Sequence, residues 1–327
     1  MHFRHFGNDS TKVSEVGLGT WQLGANWGTV DDRTAEATLT AAVEAGVNFL
    51  DTADVYGDGR SEERIAKFLK KRKERLFVAT KLGRRGDPGW PGNFTREAMR
   101  RHTEDSLRRL GVDALDLTQL HCVPTEELRR GEIFEHLREL KAEGKILRFG
   151  ASVESMEEAH LCLDQPGLAS LQIIFNVLRQ KPIDTLLGAA RRHGVAIIVR
   201  LPLASGLLSD KFTRTTTFAE SDHRNFNRDG QAFNVGETFS GLPFEKALEI
   251  VAELRNLVPF GMPMADFALR WILDHEAVSV VIPGASNPRQ ARANVVPSML
   301  PQLGLDTHEK LAEFYRHDVH THIRGPY

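Results

Sequence analysis

The sequence reads LFVATK at residues 76–81, REAMRRHTEDSLRRL at residues 96–110 and LDLTQL at residues 115–120, and this succession decides the fold class. LFVATK is almost continuously apolar, which is typical of a parallel strand buried on both faces. The middle stretch predicts a helix that ends before Gly111, because glycine commonly follows a helix C-terminus. A strand, a helix and a second strand in this order form a βαβ unit.

Similar units recur along the whole chain. Further amphipathic helices are predicted at residues 33–45 and 129–143, each followed by glycine. The predicted strands number eight, and they are Val16–Thr20, Asn48–Thr52, Leu76–Lys81, Leu115–Leu120, Leu147–Ser152, Ser170–Phe175, Ala196–Arg200 and Val278–Ile282. Eight βα units predict an α/β fold, a (β/α)8 TIM barrel, with residues 1–327 forming a single domain.

Two segments stand outside this rhythm. The pieces Phe3–Phe6 and Lys12–Ser14 predict an N-terminal β-hairpin that closes the bottom of the barrel. Residues 209–243, after strand seven, form a long polar loop of the kind that is functional, as a lid, or disordered. A doubly wound sheet is the alternative fold, but Gln22 stands where its dinucleotide fingerprint has the third glycine.

Composition excludes several classes of protein. The chain has 42 basic and 44 acidic residues, so its net charge of −2 favours neither a nucleic-acid nor a membrane partner. With 41% hydrophobic and 26% charged residues it is typical of a globular protein rather than a disordered one. Cys122 and Cys162 are the only cysteines, which excludes a disulfide scaffold. The first residues, MHFRHFGNDS, lack a signal-peptide pattern, so we expect a cytoplasmic protein.

Chemically versatile side chains follow three consecutive predicted strands. Asp51 and Tyr56 follow the second, Lys81 ends the third, and His121 ends the fourth. In a barrel these strand ends form the active-site face. An ammonium beside a phenol lowers the pKa of the phenol, and a carboxylate holds the ammonium charged. Taken singly, each residue has a structural alternative. The aspartate could cap a helix, the lysine and the tyrosine could be solvated residues of the rim, and the histidine could be a structural residue with its hydrogen bonds already made.

These residues lie in segments that resemble the aldo-keto reductase superfamily. The segments are FLDTADVYG at 49–57, VATK at 78–81, DLTQLH at 116–121, GLGTW at 17–21 and IPGAS at 282–286. The pattern is most similar to the bacterial and plant branch that includes potassium-channel β subunits. The resemblance implies a catalytic tetrad of Asp51, Tyr56, Lys81 and His121. In this tetrad Tyr56 donates the proton to the carbonyl oxygen and His121 orients the substrate. Lys81, paired with Asp51, adjusts the acidity of Tyr56.

The resemblance also implies NADP(H), with NAD as the alternative cofactor, bound in an extended form across the barrel mouth. Ser152 and Gln172 match positions at the nicotinamide, residues 203–208 match the pyrophosphate stretch, and residues 286–294 match the adenosine end. The cofactor-binding residues that it implies are Gly19, Thr20, Trp21, Ser152, Gln172, Arg200, Leu203, Ser205, Gly206, Leu207, Ser286, Gln290 and Asn294.

The chain departs from the family pattern in three places. Val153 replaces an asparagine that contacts the nicotinamide. Arg200 replaces an aromatic residue that stacks on the nicotinamide, and a guanidinium plane can also stack on a ring. Some branches of the family have a lysine where Gly284 stands, and that lysine would contact the 2′-phosphate of NADP(H). In this chain Arg289 and Arg292 are the nearby cations that could replace it. Arg200 also suggests the hypothesis of an acidic or phosphorylated substrate.

Other signals are weaker. Cys122 adjoins His121, but neighbouring strand residues point to opposite faces, so a nucleophile pair is not expected. The tail histidines His317, His320 and His322 lack a metal-binding helix motif, and no metal site is predicted. Trp21, Trp27 and Trp90 follow strands one and three and either wall a substrate pocket or serve packing.

The predicted function is NADP(H)-dependent reduction of an aldehyde or ketone, or oxidation of the matching alcohol. The family implies transfer of the 4-pro-R hydride, while Tyr56 protonates the oxygen. One alternative is a nicotinamide-sensing regulatory subunit with little turnover, and another is a barrel that only binds. The expected partner is a small-molecule carbonyl or alcohol, and the chain is expected to be a monomer or a homo-oligomer.

Overall fold

The computed structural model of the protein describes residues 1–24 and 30–327. A two-stranded antiparallel hairpin comes first, made of β1 (Phe3–His5) and β2 (Lys12–Ser14). The strands that follow it are β3 (Leu18–Gly19), β4 (Phe49–Asp51), β5 (Phe77–Leu82), β6 (Leu117–His121), β7 (Phe149–Ser152), β8 (Leu168–Ile174), β9 (Ala196–Arg200) and β10 (Val278–Val281). All eight match predicted strands within a few residues.

The helices alternate with these strands. They are α1 (Trp21–Gly24), α2 (Asp32–Glu44), α3 (Arg60–Leu69), α4 (Arg96–Leu110), α5 (Thr125–Arg130), α6 (Glu132–Ala142), α7 (Met156–Leu163), α8 (Gly188–His193), α9 (His223–Phe226), α10 (Phe244–Leu254), α11 (Met264–Leu273), α12 (Pro288–Val295) and α13 (Leu305–Phe314). Within the described residues, none of these helices combines the length and the apolar character needed to span a bilayer.

The eight strands β3–β10 form one parallel sheet in which each strand pairs with its neighbour along the chain. Backbone hydrogen bonds join the first strand to the last: Gly17 N donates to Val281 O at 2.8 Å, and Gly19 N donates to Pro283 O at 3.2 Å. The sheet therefore curls back onto itself, and the predicted (β/α)8 barrel is confirmed.

The N-terminal hairpin closes the bottom of the barrel, as predicted. Phe6 and Val13 are fully buried and pack with Phe49 and Phe77, which point into the barrel from β4 and β5. The Phe6 and Phe77 ring centroids lie 5.0 Å apart. Because this end is filled with apolar side chains, polar chemistry is confined to the opposite end.

One predicted helix begins later than expected. The helix expected at residues 129–143 begins at Glu132 as α6, because Gly131, whose φ of 81° is left-handed, separates it from α5, which ends at Arg130. Residues 209–243 fold into short turns and α9, and Phe212, Phe218 and Phe239 pack together, with the first two ring centroids 5.3 Å apart. An aromatic cluster of this kind buries enough apolar surface to hold a loop in place.

Candidate active site

The structure brings Asp51, Tyr56, Lys81 and His121 together at the carboxyl ends of the strands. Lys81 Nζ donates to Asp51 Oδ1 at 2.5 Å and to Tyr56 Oη at 3.3 Å. The Tyr56 and His121 ring centroids are 5.9 Å apart, with the rings nearly perpendicular at 81°. Three neighbouring strands and the turn after β4 thus deliver a carboxylate, an ammonium, a phenol and an imidazole to one place.

Lys81 is the centre of this cluster. Its side chain is 1% exposed, and its ammonium also donates to Thr52 O at 2.9 Å, so all three of its protons have acceptors. Burial alone would lower the pKa of Lys81, but the Asp51 carboxylate and the Tyr56 phenol outweigh it and hold the pKa above its ordinary value. The ammonium therefore stays charged although it is buried.

The pKa of Tyr56 is set by two opposing effects. Burial raises the pKa of Tyr56 above 10, and the lowering effect of the Lys81 ammonium does not overcome it. The expected lowering by the Lys81 ammonium is present, but burial has the larger effect on this pKa. The cause is the cost of burying a phenolate, which exceeds its attraction to one ammonium that Asp51 already neutralises. Tyr56 is consequently protonated at neutral pH.

His121 is neutral at the mouth of the barrel. Burial, followed by the nearby charges of Lys81, Arg84 and Arg200, places its pKa well below 6.5. Its Nδ1 atom is buried and meets no hydrogen-bond partner among the described residues. A neutral imidazole with a free ring nitrogen can donate to or accept from a small polar ligand beside Tyr56.

The second oxygen of Asp51 is held by two glutamines. Gln172 Nε2 donates to Asp51 Oδ2 at 2.7 Å, and Gln119 Nε2 lies at 3.4 Å from the same oxygen. Gln172 was predicted at the nicotinamide, and here it orients the carboxylate that holds Lys81. No role was predicted for Gln119, although its place two residues before His121 puts it on the same strand face.

The predicted cofactor residues of the first strand line the same end. Thr20 Oγ1 donates to Asp51 O at 2.8 Å, and the Trp21 ring lies 6.1 Å from the Tyr56 ring. Gly19 sits where a Cβ atom would lie 2.9 Å from Ile282 O, so a side chain there would press against the strand that closes the barrel. Trp27, the second predicted pocket wall, lies outside the described residues.

The remaining predicted cofactor residues form two groups at the rim. Leu203, Gly206 and Leu207 belong to the turn after β9, in which Ser205 Oγ donates to Glu237 O at 3.0 Å. At the start of α12, Ser286 Oγ donates to Gln290 Oε1 at 2.9 Å. Asn294 Nδ2, further along the helix, donates to Gly284 O at 3.1 Å.

The rim also offers positive charge. Arg289 and Arg292 of α12 are exposed, and neither forms an ion pair with any residue that the structure describes. Arg289 lies in the first turn of α12, where a helix N-terminus and a guanidinium group together fit a phosphate group, and Arg292 lies one turn further along. The donor set at this rim and the free Nδ1 of His121 therefore suit an extended nicotinamide nucleotide.

Arg200 adopts a role that the sequence did not predict. Its side chain is nearly buried, and Nη1 pairs with Glu237 Oε1 at 2.5 Å while Nη2 donates to Val153 O at 3.1 Å. The Ser152 hydroxyl lies nearby, 3.5 Å from Cys122 Sγ. The hypothesis of an acidic substrate depends on a positive charge at Arg200. Because the Glu237 carboxylate pairs with the guanidinium, that charge is largely cancelled, and the hypothesis loses its support.

Glu237 belongs to a larger group of charges at the mouth. Ligand atoms of Cys122, Glu154 and Glu237 all lie within 4.8 Å of one another, and Arg84 pairs with Glu154 at 3.1 Å. Burial raises the pKa of the Cys122 thiol to about 11, which agrees with the expectation that it is not a nucleophile. Only the tertiary fold reveals this group, since its members are far apart in the sequence.

Asp54 is a further residue without a predicted role. It is fully buried three residues after Asp51, and neither carboxylate oxygen has a hydrogen-bond partner among residues 1–24 and 30–327. Burial and the neighbouring Glu62 carboxylate raise its pKa to about 7. Its backbone is well held, because its N–H donates to Lys81 O at 3.2 Å and Arg85 donates to its carbonyl at 3.0 Å.

Comparison with known proteins agrees with this architecture. Residues 15–315 match the Aldo/keto reductase family. The aldo-keto reductase YhdN of Bacillus subtilis is 30% identical over 90% of this chain and 87% of its own length. An NADH-specific methylglyoxal reductase of Escherichia coli is 29% identical over 88% of this chain and 91% of its own.

A probable voltage-gated potassium channel subunit beta of Arabidopsis thaliana is 27% identical over 92% of this chain and 94% of its own. Among solved structures, a glycerol dehydrogenase from Gluconobacter oxydans superposes with a TM-score of 0.77 at 29% identity, covering 97% of this chain and 96% of that one. The holo form of an aldo-keto reductase from Bacillus halodurans gives a TM-score of 0.79 at 28% identity over 96% of both chains.

The chain belongs to the aldo/keto reductase family. It is therefore an oxidoreductase of a family that uses nicotinamide cofactors, and its resemblance to the branch with potassium-channel β subunits is confirmed.

Proposed function

We propose that the protein reduces an aldehyde or ketone to an alcohol with NADPH, or catalyses the reverse reaction, with Tyr56 as the general acid and base. The observation that carries this proposal is the chain of contacts from Asp51 through Lys81 to Tyr56. The charged ammonium holds the protonated phenol in a fixed position, and general acid catalysis requires a proton donor that is positioned in this way.

The protein residues would act as follows. His121, neutral and with a free ring nitrogen, would hold the substrate oxygen beside Tyr56 Oη. Tyr56 would donate its proton to that oxygen, and Lys81 would stabilise the phenolate that remains. Asp51, fixed by Gln172, would keep Lys81 in place. The bound nicotinamide nucleotide would supply the hydride, from its 4-pro-R position as the family implies.

The cofactor would lie across the mouth. Ser152 and Arg200 would contact the nicotinamide, the 203–207 turn the pyrophosphate, and residues 286–294 the adenosine. The free guanidinium groups of Arg289 and Arg292 favour the 2′-phosphate of NADP(H) over NAD(H). Relatives carry names with either cofactor, NADH in Escherichia coli and NADP(+) in Schizosaccharomyces pombe, so we keep NAD as the alternative.

We further propose that residues 1–327 form one domain that acts in the cytoplasm on a small molecule, as a monomer or homo-oligomer. The net charge of −2 supports the proposal that it binds neither nucleic acid nor membranes. A nicotinamide-sensing role with little turnover remains the second candidate, because a relative is named as a channel subunit.

The test is oxidation of NADPH and of NADH against a panel of aldehydes and ketones, with Tyr56→Phe as the matched control. We expect turnover with NADPH that falls at least a hundredfold in Tyr56→Phe. Tight NADPH binding without turnover on any carbonyl would favour the sensing role instead. Equal turnover in wild type and Tyr56→Phe would refute the assignment of the acid.

A further inference from the structure

Arg84 lies at the mouth of the barrel, two residues after β5 ends at Leu82. Its guanidinium reaches the two loops that come next along the chain. Nε donates to His121 O at 2.9 Å, and Nη2 donates to Glu154 Oε1 at 3.1 Å. Glu154 lies two residues after the end of β7 at Ser152. One side chain therefore joins the ends of three neighbouring strands, and the middle one carries His121.

The backbone directly after His121 is strained. Cys122 has a φ of 47°, in the left-handed region that residues with a Cβ atom rarely adopt. Such a conformation persists only where the surrounding contacts hold it. On the side of β7, Cys122 N donates to Ser152 O at 2.9 Å. A loss of this turn would free the end of β6, and His121 with it.

On the side of β5, Arg84 continues where sheet pairing ends. The register of β5 and β6 runs to the pair Leu82 and Leu120, one residue before His121. Beyond that pair Arg84 Nε holds His121 O at 2.9 Å, and its Nη2 donates more weakly to Cys122 O at 3.5 Å. These oxygens belong to the two peptide groups that flank the Cys122 Cα atom. Because their directions define φ and ψ of Cys122, one guanidinium holds the strained turn.

Arg84 is itself held at both ends. The carbonyl of the preceding residue, Gly83, accepts from Trp90 Nε1 at 2.5 Å and from Asn93 Nδ2 at 3.1 Å. At the other end the guanidinium pairs with Glu154, and the two side chains are only 25% and 18% exposed. A planar guanidinium donates in fixed directions, which a lysine ammonium does not reproduce. The side chain is therefore a rigid brace between the loops.

The residue that this brace holds lies directly beside Tyr56. The His121 ring meets the Tyr56 ring edge-on, with the centroids 5.9 Å apart. We propose that Arg84 is a positioning residue whose guanidinium fixes the backbone on both sides of Cys122 and thereby holds the His121 imidazole in place beside Tyr56. Arg84 acts through His121 and needs no contact with the substrate. This inference rests on the proposed role of His121, which is to hold the substrate oxygen.

The first test uses the ligand-free, full-length protein. With 13C-labelled histidine and tyrosine rings, a nuclear Overhauser effect between the two rings reports their contact. The chain has 13 histidines and three tyrosines, and His121→Asn and Tyr56→Phe identify the two signals. We expect Arg84→Met to weaken this effect about fourfold, because the signal falls with the sixth power of distance and a lost brace allows a shift of roughly 1 Å.

Three control variants separate the hydrogen bonds from charge and from unfolding. Arg84→Lys keeps the positive charge without the planar fork, so it should lose the ring contact as Arg84→Met does. Glu154→Gln leaves the bonds from Arg84 to the two carbonyls and should retain the contact. Arg84→Met combined with Glu154→Gln has no unpaired carboxylate, and it replaces Arg84→Met if that variant does not fold.

Three outcomes would overturn the proposal. The first is an undiminished ring contact in Arg84→Met or in the double variant. The second is full retention of the contact in Arg84→Lys, which would show that charge alone is sufficient. The third is an equal loss in Glu154→Gln, which would assign the effect to the ion pair. This experiment needs neither substrate nor cofactor, so its result is independent of whether the proposed function is correct.

Where a carbonyl substrate has been found, kinetics give a second readout. Arg84→Met should lower kcat/KM for the carbonyl about a hundredfold, the cost of misplacing a group at the reacting centre by about 1 Å. The Kd of NADPH, measured by fluorescence titration, should change by less than about twofold, because the displacement is confined to His121. An equal loss in both would indicate a general collapse of the mouth and would overturn the proposal, as would an unchanged kcat/KM.

Discussion

Asp54→Asn should make the protein more stable at alkaline pH. The Asp54 carboxyl is fully buried without a hydrogen-bond partner among the described residues, and its pKa is raised from 3.8 to about 7 by burial and by Glu62. Arg85 and Arg109 oppose this rise only in part. Ionisation of Asp54 is therefore far more costly in the folded state than in the unfolded state.

The sign and size follow from linkage between proton binding and folding. Between pH 4 and 7 the folded state keeps a proton that the unfolded state has lost, so stability falls as pH rises. One pKa unit corresponds to about 1.4 kcal/mol, so a rise from 3.8 to about 7 lowers the free energy of unfolding by about 4 kcal/mol above pH 7. About 3 kcal/mol of this penalty develops between pH 5 and 8.

The assay is urea unfolding of wild type and Asp54→Asn at pH 5 and pH 8. Wild type should lose about 3 kcal/mol of its free energy of unfolding between pH 5 and pH 8, and the variant should not show this loss. Any cost of burying the asparagine amide is the same at both pH values, so it cancels in the comparison. Asp58→Asn is the matched control in the same turn, because the Asp58 side chain is 87% exposed and should leave the pH dependence unchanged. The reasoning is refuted if wild type and Asp54→Asn lose the same stability between pH 5 and 8.

Three other predictions address the barrel bottom, the ion pair and the rim. Phe6→Ala should lower the free energy of unfolding by about 3–5 kcal/mol, because it opens a cavity at the bottom of the barrel, and urea unfolding measures this loss. The tetrad at the opposite end should stay in place, so turnover should be unchanged. Lys81→Met should abolish turnover and destabilise the fold by about 3–5 kcal/mol, since it leaves the Asp51 carboxylate buried without its cation; a variant with wild-type thermal stability would contradict this. Arg289→Ala combined with Arg292→Ala should raise the KM for NADPH at least tenfold and leave that for NADH unchanged, and equal effects on both cofactors would contradict a 2′-phosphate contact.

Much of the fold could be read from local patterns. Apolar runs of strand length alternate with amphipathic stretches that end at glycine, and each such pattern depends on residues close together in the sequence. The errors are local too. The helix predicted at residues 129–143 starts three residues too early, because the sequence pattern does not show that Gly131 has a left-handed backbone that separates two helices. The strand limits differ by a few residues because pairing across the barrel decides where each strand begins.

The candidate site could be predicted only in part. Asp51, Tyr56, Lys81 and His121 were placed together because they follow strands that are neighbours in a barrel, and the structure joins them by contacts of a few ångströms. The lowering effect of Lys81 on the Tyr56 pKa is present as expected, but burial raises that pKa overall, and the sequence does not show how deeply the phenol is buried. Burial is a property of the assembled protein, and it outweighs a single neighbouring charge.

The order of strands and helices, the family and the four side chains at the strand ends can all be read from the amino-acid sequence. These depend on periodicity and on short motifs, which neighbouring residues encode. The ion pair between Glu237 and Arg200, and the burial of the Asp54 carboxylate away from any hydrogen-bond partner among the described residues, arise only from the tertiary fold. Such pairings join residues remote along the chain, and their energies depend on distance and exposure that arise only when the barrel and the long segment pack together.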